Sequence, residues 1–414
     1  MKKIEAGAIQ YVLVVSIIIM IVLFAFISLV FLQNRIRLKS EVYKETVHAS
    51  YVGFDYLSQK QLPYNTPTEV QFSELDGEKT SITKKHWGVF DLAIVRSTLK
   101  NETFQKIALL GNQKEDRKAL YLQNNNQPLV VVGNTKITGD VILPQKGITT
   151  GNISGVAYYG NELVYGNIKT NSGQLPTIHN LDYIIQITQE YPLDEVQMFD
   201  LKEGIKLRNS FEEKTLGFET EAPLDLRNMS LEGNIVLMSR SQIRVFRSAV
   251  LEDVILIAPK VILESGVKGS CQIFAEEKIW IKEGVELNYP SGLTLIDSSI
   301  LKGKNKEINI QIDKRAQIKG VVLYYNKNKE SDYTTQVAVK EGAKVTGEVY
   351  CNKNFELGGS VDGFVYTSNF IANQAGGIYM NHLYNGQINA KAISEHYKGM
   401  FVETDKVTIA KWLE

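Results

Sequence analysis

The strongest hydrophobic feature of the chain is an uncharged run from Ala8 to Leu32, which reads AIQYVLVVSIIIMIVLFAFISLVFL. A run of about 25 residues gives roughly 37 Å of α-helix, which exceeds the ~30 Å hydrocarbon core of a bilayer. The apolar core of a cleaved signal peptide is shorter, roughly 7–15 residues, and ends at a small-residue cleavage site. Here Gln33, Asn34 and Arg35 follow the run instead. The pattern therefore predicts a retained transmembrane helix.

Beyond this run, apolar and charged residues mix without a break in the helical pattern. The first proline is Pro63, and no glycine follows the run until Gly53. Apolar residues recur at three- and four-residue steps, as on one face of an amphipathic helix; they are Ile36, Val42, Tyr43, Val47, Tyr51, Phe54 and Leu57. We predict one helix over residues 8–60, half in lipid and half amphipathic. A separate juxtamembrane linker helix is the alternative.

Residues 61–127 show the two-residue alternation of β-strands. The stretch from Thr68 to Leu99 alternates apolar and polar residues around the turn signal LDGEKT, which favours an antiparallel hairpin. Residues expected to face a core are Trp87, Val89, Leu92 and Ile94. The polar run LQNNNQPLV then marks a boundary at residues 124–128, so this part is predicted to be a small β-rich neck.

The chain repeats itself after this boundary. GEVYCNKNFELGGSVDG, from Gly347, aligns with GFVYTSNFIANQAGG, from Gly363, at an offset of 16 residues. Three further segments align on Ile235, Ile255 and Ile273. The repeats also end alike, in segments that begin at Leu263, Ile281, Ile312 and Val339.

Short apolar alternations followed by glycine or small polar corners are typical of a β-solenoid. One coil cannot bury its inner face alone, whereas stacked coils share a continuous core. We therefore predict a mainly β chain: a single N-terminal transmembrane helix, the β-rich neck and a β-solenoid over residues 128–390. An antiparallel sandwich with similar turn spacing is the alternative. Residues 391–414 lack the repeat, and Trp412 and Leu413 are expected to cap the last coil.

Composition narrows the classes of partner. The chain of 414 residues has 46 basic and 46 acidic residues and a formal charge of zero. Without a basic stripe, nucleic acid is not an expected partner. Two cysteines, Cys271 and Cys351, do not make a disulfide scaffold. We expect both to be unpaired, with a single bridge as the alternative.

Few residues suggest chemistry. The five histidines are too dispersed for a metal site, and no Gly-x-Ser-x-Gly or phosphate-loop motif occurs. We therefore predict no enzyme activity, no metal and no cofactor. The alternative is a carbohydrate-active β-helix, whose carboxylates would have to gather on one face; the available ones are Asp297, Asp313, Asp332 and Asp362. Acidic residues at solenoid corners are more often solvated turn formers.

A second alternative is polysaccharide binding without chemistry. It would use exposed tyrosines along the repeats, for which the candidates are Tyr324, Tyr325 and Tyr379.

The orientation of the helix in the membrane depends on the short leader, residues 1–7, and on the charges that flank the span. Lys2 and Lys3 precede the span, and Arg35, Arg37 and Lys39 follow it, so charge counting alone does not decide. Large domains translocate largely regardless of charge. We predict a single-pass protein of the inner, cytoplasmic membrane, with its C-terminal domain on the extracytoplasmic (periplasmic) side.

The leader and helix resemble those of type IV pilin-like proteins, including the minor pseudopilins of type II secretion systems. In that family a peptidase cuts after a small residue, and the mature helix packs with other subunits. The resemblance implies a processing site at Ala6, Gly7 and Ala8. The glutamate usual at mature position five is missing, since Val12 or Tyr11 stands there. Residues expected to allow close helix packing in lipid are the small ones: Gly7, Ala8, Ser16, Ala25 and Ser28.

The repeats between Gly233 and Gly377 resemble those of bactofilins, which are polymer-forming cytoskeletal β-helix proteins. Together the two resemblances imply a membrane-anchored scaffold of an envelope assembly. Its expected partners are the bilayer, other membrane-anchored or pilin-like subunits, and a secreted protein or polysaccharide. A bactofilin-like membrane-associated cytoskeletal scaffold and a polysaccharide-binding or carbohydrate-active protein are the alternatives.

Overall fold

A computed structural model of the chain describes residues 6–73, 77–171, 173–192, 196–298, 307–328, 333–402 and 406–413. Residues 1–5 of the predicted leader, part of the predicted LDGEKT turn, and Asp332 lie outside these residues. Within them, the chain is mainly β with one long apolar N-terminal helix, as predicted.

The helices are α1 (Ala6–Gln59) and α2 (Leu181–Gln189). The strands, in chain order, are β1 (Thr68–Val70), β2 (Glu78–Trp87), β3 (Phe90–Leu99), β4 (Glu102–Gln113), β5 (Lys118–Leu122), β6 (Leu129–Val132), β7 (Lys136–Thr138), β8 (Asp140–Pro144), β9 (Ile148–Thr150), β10 (Asn152–Ile153), β11 (Val156–Ala157), β12 (Ile168–Asn171), β13 (Gln197–Met198), β14 (Lys206–Asn209), β15 (Leu216–Thr220), β16 (Leu224–Leu226), β17 (Ser230–Gly233), β18 (Ile235–Ser239), β19 (Gln242–Val245), β20 (Val250–Ile257), β21 (Lys260–Leu263), β22 (Lys268–Ala275), β23 (Lys278–Ile281), β24 (Glu286–Asp297), β25 (Ile310–Ile312), β26 (Gln317–Asn326), β27 (Val337–Val339), β28 (Lys344–Leu357), β29 (Ser360–Gln374), β30 (Gly377–Met380), β31 (His382–Tyr384), β32 (Gln387–Asn389) and β33 (Lys406–Leu413).

The N-terminal helix α1 is continuous because no proline interrupts it and its first half consists of apolar residues. The helix is long and apolar enough to cross a membrane, with a mean hydropathy of 3.2 in its most apolar 18-residue window. None of that window is buried against the rest of the protein. A single-pass membrane anchor is therefore consistent with α1.

The chain divides into two compact units. One contains the described residues up to Tyr56, together with Thr66–Thr83 and Ile94–Lys106. The other contains Leu57–Asn65, Lys84–Ala93 and the described residues from Ile107 onwards. We call them the helix unit and the repeat unit.

A five-stranded sheet has the order β1-β2-β3-β4-β33. The strand β1 pairs antiparallel with β2, as the predicted hairpin requires, with Val70 opposite Thr80. At the other edge β33 pairs antiparallel with β4, with Leu413 opposite Ile107. The C-terminal segment predicted as a solenoid cap thus supplies an edge strand of this sheet. Its Trp412 is 38% exposed.

Most remaining strands form a large parallel sheet whose register bears out part of the repeat alignment. Gly347, Val349 and Tyr350 of β28 pair with Gly363, Val365 and Tyr366 of β29, which is the predicted offset of 16. The four predicted repeat ends also pair in succession through Leu263, Ile281, Ile312 and Val339. All four side chains are at most 1% exposed and form part of the core.

The predicted alignment of Ile235, Ile255 and Ile273 is wrong by one residue. Ile255 pairs with Val236, and Ile273 pairs with Leu256. For the pair with β22, the cause is a bulge in β20 between Glu252 and Val254. A bulge adds one residue to a strand and shifts every later pair.

The order of strands within the parallel sheet departs from the order along the chain. The early strand β5 pairs with the late strand β29, with Tyr121 beside Tyr366. From β5 the sheet continues through β8 to β12. The parallel region therefore includes Lys118–Leu122, upstream of the predicted boundary at residue 128, and its earliest strands adjoin its latest ones.

Candidate functional site

The exposed half of α1 is the largest apolar surface of the described chain. Every described side chain from Gly7 to Glu41 is exposed, including 22 large hydrophobic residues between Ile9 and Leu38. Burying such a surface is the dominant favourable term in association, at about 25 cal/mol per Å² of apolar area. We call residues 7–32 of α1 the apolar helix surface.

The small residues predicted to pack between helices all lie on this surface. Gly7, Ala8, Ser16, Ala25 and Ser28 are exposed, and no atom lies within 4 Å of a Cβ placed on Gly7. At about 100° per residue, Gly7, Ala25 and Ser28 fall within an arc of about 60°, whereas Ala8 and Ser16 lie on a different face. They therefore offer two separate positions for close helix contact. The predicted processing site at Ala6, Gly7 and Ala8 coincides with the start of α1.

The second half of α1 packs against the sheet within the helix unit through small residues. A Cβ on Gly53 would lie 2.7 Å from Cγ1 of Val95 and 3.4 Å from Cγ2 of Thr80, so the helix backbone approaches β2 and β3 closely. Ala49 and Ser50 are buried on the same face. The absence of long side chains makes this approach sterically accessible.

The buried face of α1 differs from the face predicted from the amphipathic pattern. Ile36, Tyr43 and Tyr51 are between 44% and 59% exposed, although they were expected to be on the buried face. Tyr43 instead packs edge-on against Phe104, with ring centroids 6.1 Å apart, and Phe54 is buried as predicted. The prediction from hydrophobic periodicity did not include the small residues, because they contribute little apolar character. Their spacing of three and four residues was nevertheless present in the sequence.

A buried carboxylate lies at the start of β3 in the repeat unit. Asp91 is completely buried; it accepts a hydrogen bond from the Tyr64 hydroxyl at 2.8 Å, and Lys84 Nζ lies 2.9 Å from it. His86 Nδ1 is 2.8 Å from Asp91 Oδ1, and its ring is stacked between Tyr64 and Tyr183 at 3.8 and 4.1 Å. Burial, followed by the Asp91 charge, raises the pKa of Tyr64 above its usual range.

This arrangement has a structural explanation. A buried carboxylate is stable only when charge partners and hydrogen bonds replace water. His86 packs here between two tyrosine rings. Among the described residues, no group of three or more His, Cys, Asp or Glu could hold a metal ion.

A second buried charge pair joins the end of β4 to the parallel sheet. Lys114 Nζ lies 3.5 Å from Oε1 of Glu348 and donates a hydrogen bond to the Tyr366 hydroxyl at 2.8 Å. The side chain of Glu348 is fully buried, and burial, followed by the Glu348 charge, raises the pKa of Tyr397 well above its usual range. Removal of one partner would leave an uncompensated buried charge, which typically costs about 3–5 kcal/mol. The pair therefore stabilises the attachment of β4.

Each of the three described aspartates considered for carbohydrate chemistry has a structural partner. Asp297 accepts a hydrogen bond from the Tyr324 hydroxyl at 2.8 Å. Asp313 accepts one from Trp280 Nε1 at 2.7 Å and another from Gln311 at 2.7 Å. Asp362 forms an ion pair with Lys344.

The tyrosines considered for polysaccharide binding are also placed differently from the prediction. Tyr324 is 1% exposed and belongs to the core. Tyr325 and Tyr379 are half-buried.

Neither cysteine forms a disulfide bond and both are buried, which matches the favoured interpretation. Burial raises the pKa of the Cys271 thiol to about 12. A thiol reacts as the thiolate, so this side chain is inert near neutral pH in the folded protein.

No protein-family model, curated protein or solved structure matches this chain. Its function is therefore inferred from its own residues and contacts.

Proposed function

We propose that this chain is a membrane-anchored structural subunit of an envelope assembly, of the pilin-like kind found in type II secretion and pilus-like machines. The observation that carries the proposal is the difference between the two parts of α1, of which one is exposed and the other is packed on the sheet. Residues 7–32 are exposed and almost entirely apolar, whereas the face that includes Ala49, Ser50 and Gly53 is buried in the helix unit. One continuous helix thus links a folded sheet to a surface that needs lipid or other helices.

The apolar helix surface would serve first as an anchor and then as an assembly surface. About 20 apolar residues suffice to cross a bilayer, and this run is longer. Within lipid, helices associate by van der Waals packing at small residues. Ala25 and Ser28 form the favoured contact position, joined by Gly7 if the mature chain starts there, with Ala8 and Ser16 as a second.

We also propose that the parallel strands are stacked coils of a β-solenoid. Successive parallel strands pair 16 to 20 residues apart over much of the sheet, for example Lys260 with Lys278 and Gly347 with Gly363. Their inward side chains form the buried apolar series that begins at Leu263 and Ile281. In the proposed function, the solenoid presents a rigid surface to partners in the periplasm, and the protein performs no chemistry of its own.

The N-terminal sequence of the mature protein tests this proposal. Prepilin-type processing gives a start at Ala8 or Gly7, and Gly7→Trp should block it without altering membrane association. A matched change at Ser40, which is exposed on α1 beyond the processing site, should leave processing intact.

Topology is tested on the same preparation. Protease added to spheroplasts should degrade the β portion while the N-terminus stays protected. An unprocessed chain that begins at Met1 or Lys2 would contradict the pilin-like proposal. Protection of the β portion until lysis would instead favour the bactofilin-like cytoskeletal alternative.

A further inference from the structure

A groove of about 500 Å³ lies across four neighbouring strands of the parallel sheet, β26, β28, β29 and β5. Amide side chains dominate its lining: Gln123, Asn125, Gln127, Gln174, Asn326, Asn352, Asn354 and Asn369. Tyr325, Tyr333 and Tyr350 add aromatic surface, and Ser368 and Thr177 add hydroxyl groups. None of the described lining residues is a carboxylate. We call it the amide groove.

We propose that the amide groove binds a neutral glycan chain. Amide groups donate and accept hydrogen bonds simultaneously, as sugar hydroxyls do. Tyrosine rings offer flat apolar faces with a polar edge, which suits the C–H faces and hydroxyl rims of sugar rings. The site is distinct from the apolar helix surface, and the inference does not depend on the proposed membrane assembly.

The amides are held in place by bonds between neighbouring strands. The Asn326 N–H donates to Asn352 Oδ1 at 2.9 Å, and Asn352 Nδ2 donates to the Asn326 carbonyl at 2.8 Å. Farther along, Asn369 Nδ2 donates to Asn354 Oδ1 at 3.3 Å, and Asn125 Nδ2 donates to Asn369 Oδ1 at 2.7 Å. A side-chain amide has two donor hydrogens and two acceptor lone pairs. These bonds use one of each at Asn369, so the group can be fixed and still bind a hydroxyl.

Such fixed groups lower the entropic cost of binding, because little ordering remains when the ligand arrives. Parallel strands lie about 4.8 Å apart, so the groove presents polar groups at a repeat close to the length of one sugar ring in an extended chain. A polymer with a regular repeat is the ligand that such spacing favours.

One wall of the groove is also fixed. The Tyr350 hydroxyl donates to the Pro176 carbonyl at 3.0 Å, and the Tyr121 hydroxyl donates to the Gln174 carbonyl at 3.0 Å. Tyr333 at the rim is 70% exposed, and Tyr325 is half-buried. The inner part of the groove is therefore rigid, whereas its rim offers an accessible aromatic face.

The charged residues in the lining of the amide groove indicate which class of ligand it fits. Lys327 and Lys353 are the cationic residues among the described lining, and Lys353 is only 7% exposed. Phosphate and carboxylate recognition commonly uses the bidentate fork of arginine, and Ca²⁺ requires oxygen ligands that include carboxylates. The described lining provides neither arginine nor carboxylate. Uncharged sugars fit this composition better than uronic acids or nucleic acids.

The experiment uses the full chain in a detergent without a sugar headgroup. Native affinity electrophoresis is run with dextran, laminarin and xylo-oligosaccharides as neutral probes and with polygalacturonate as the acidic probe. We expect retardation by at least one neutral probe and no shortening of the glycan. Tyr333→Ala should weaken binding about tenfold, because it removes a stacking face, and Tyr333→Phe should retain it. Tyr159→Ala is the matched control, since Tyr159 is 61% exposed and lies outside the groove.

Absence of retardation by all three neutral probes would overturn the proposal, as would binding of polygalacturonate alone. Equal binding by wild type and a Tyr325→Ala/Tyr333→Ala variant with unchanged thermal unfolding would place any glycan site elsewhere. Loss of pilin-like processing would leave the result unaffected, so the two proposals fail independently.

Discussion

At the scale of single residues, a short column of glycines sets how closely three neighbouring strands can approach. Gly320, Gly347 and Gly363 pair in register, and their φ values lie between +145° and +148°. A Cβ on Gly347 would lie 1.8 Å from the Gly320 carbonyl oxygen. Only glycine adopts this backbone region without strain, so the column requires glycine for both conformation and space.

Substitution in this column should be costly. We expect Gly347→Ala to lower the free energy of unfolding by about 3 kcal/mol or more, because strain and a backbone clash add. Gly284→Ala is the matched control: its φ is also positive, at +69°, but nothing lies within 4 Å of the added Cβ. Its cost should be about 1 kcal/mol. Denaturant unfolding of both variants measures the difference, and equal costs would refute the close approach.

At the scale of elements, the two halves of α1 follow different rules. The first half is apolar on every side, as a membrane span requires, and the buried face of the second half combines the small residues Ala49, Ser50 and Gly53 with Phe54. Thr46 on the buried face donates its hydroxyl to the Val42 carbonyl at 2.8 Å, so this buried hydroxyl is hydrogen-bonded within the helix. The helix therefore presents a narrow face to the sheet, and the two elements approach each other closely at Gly53.

A larger side chain at position 53 should push the helix away from the sheet. Gly53→Leu introduces a side chain where Val95 Cγ1 already lies 2.7 Å from the Cβ position. We expect about 2–3 kcal/mol of destabilisation from overpacking and faster proteolysis within residues 42–59. Ser40→Leu, at an exposed position of the same helix, should leave both measurements near wild type. If both variants behave alike, α1 does not pack on the sheet at Gly53.

At the scale of the whole molecule, the repeat unit closes its parallel sheet out of chain order. The strands β5, β8 and β12 continue the sheet beyond β29, whereas the strand that follows in the chain, β13, pairs with β15. This order brings Gln123 and Asn125 beside Ser368 and Asn369 and so completes the amide groove. The groove exists because of the strand order, not because of any single repeat.

Cross-linking tests that order. In a background with alanine at Cys271 and Cys351, Tyr121→Cys and Tyr366→Cys should be joined by a short bridging thiol reagent, because their Cα atoms are register partners about 4.8 Å apart. The pair Tyr121→Cys and Phe218→Cys is the control, since Phe218 pairs with Leu237. A bridge in the control pair and none in the test pair would mean that strands follow chain order.

Local sequence was sufficient for features that depend on composition and short-range periodicity. The apolar run of α1, the mainly β class and the 16-residue echo between Gly347 and Gly363 could all be predicted. So could the buried series through Leu263 and Ile281, because alternation reports which side chains point inwards. Each of these features arises from residues close together in the chain.

Tertiary structure alone decided the features that depend on which strands are neighbours. The bulge at Asp253, whose φ is +57°, moves the partner of Ile255 by one residue, and no hydrophobic pattern reports such a shift. The alternation of apolar and polar residues likewise does not reveal that β5 adjoins β29, because a strand shows the same alternation whichever parallel strand lies beside it. The amide groove shares that dependence: its residues come from segments more than 200 positions apart, and only the pairing of distant strands brings Asn125 within 2.7 Å of Asn369.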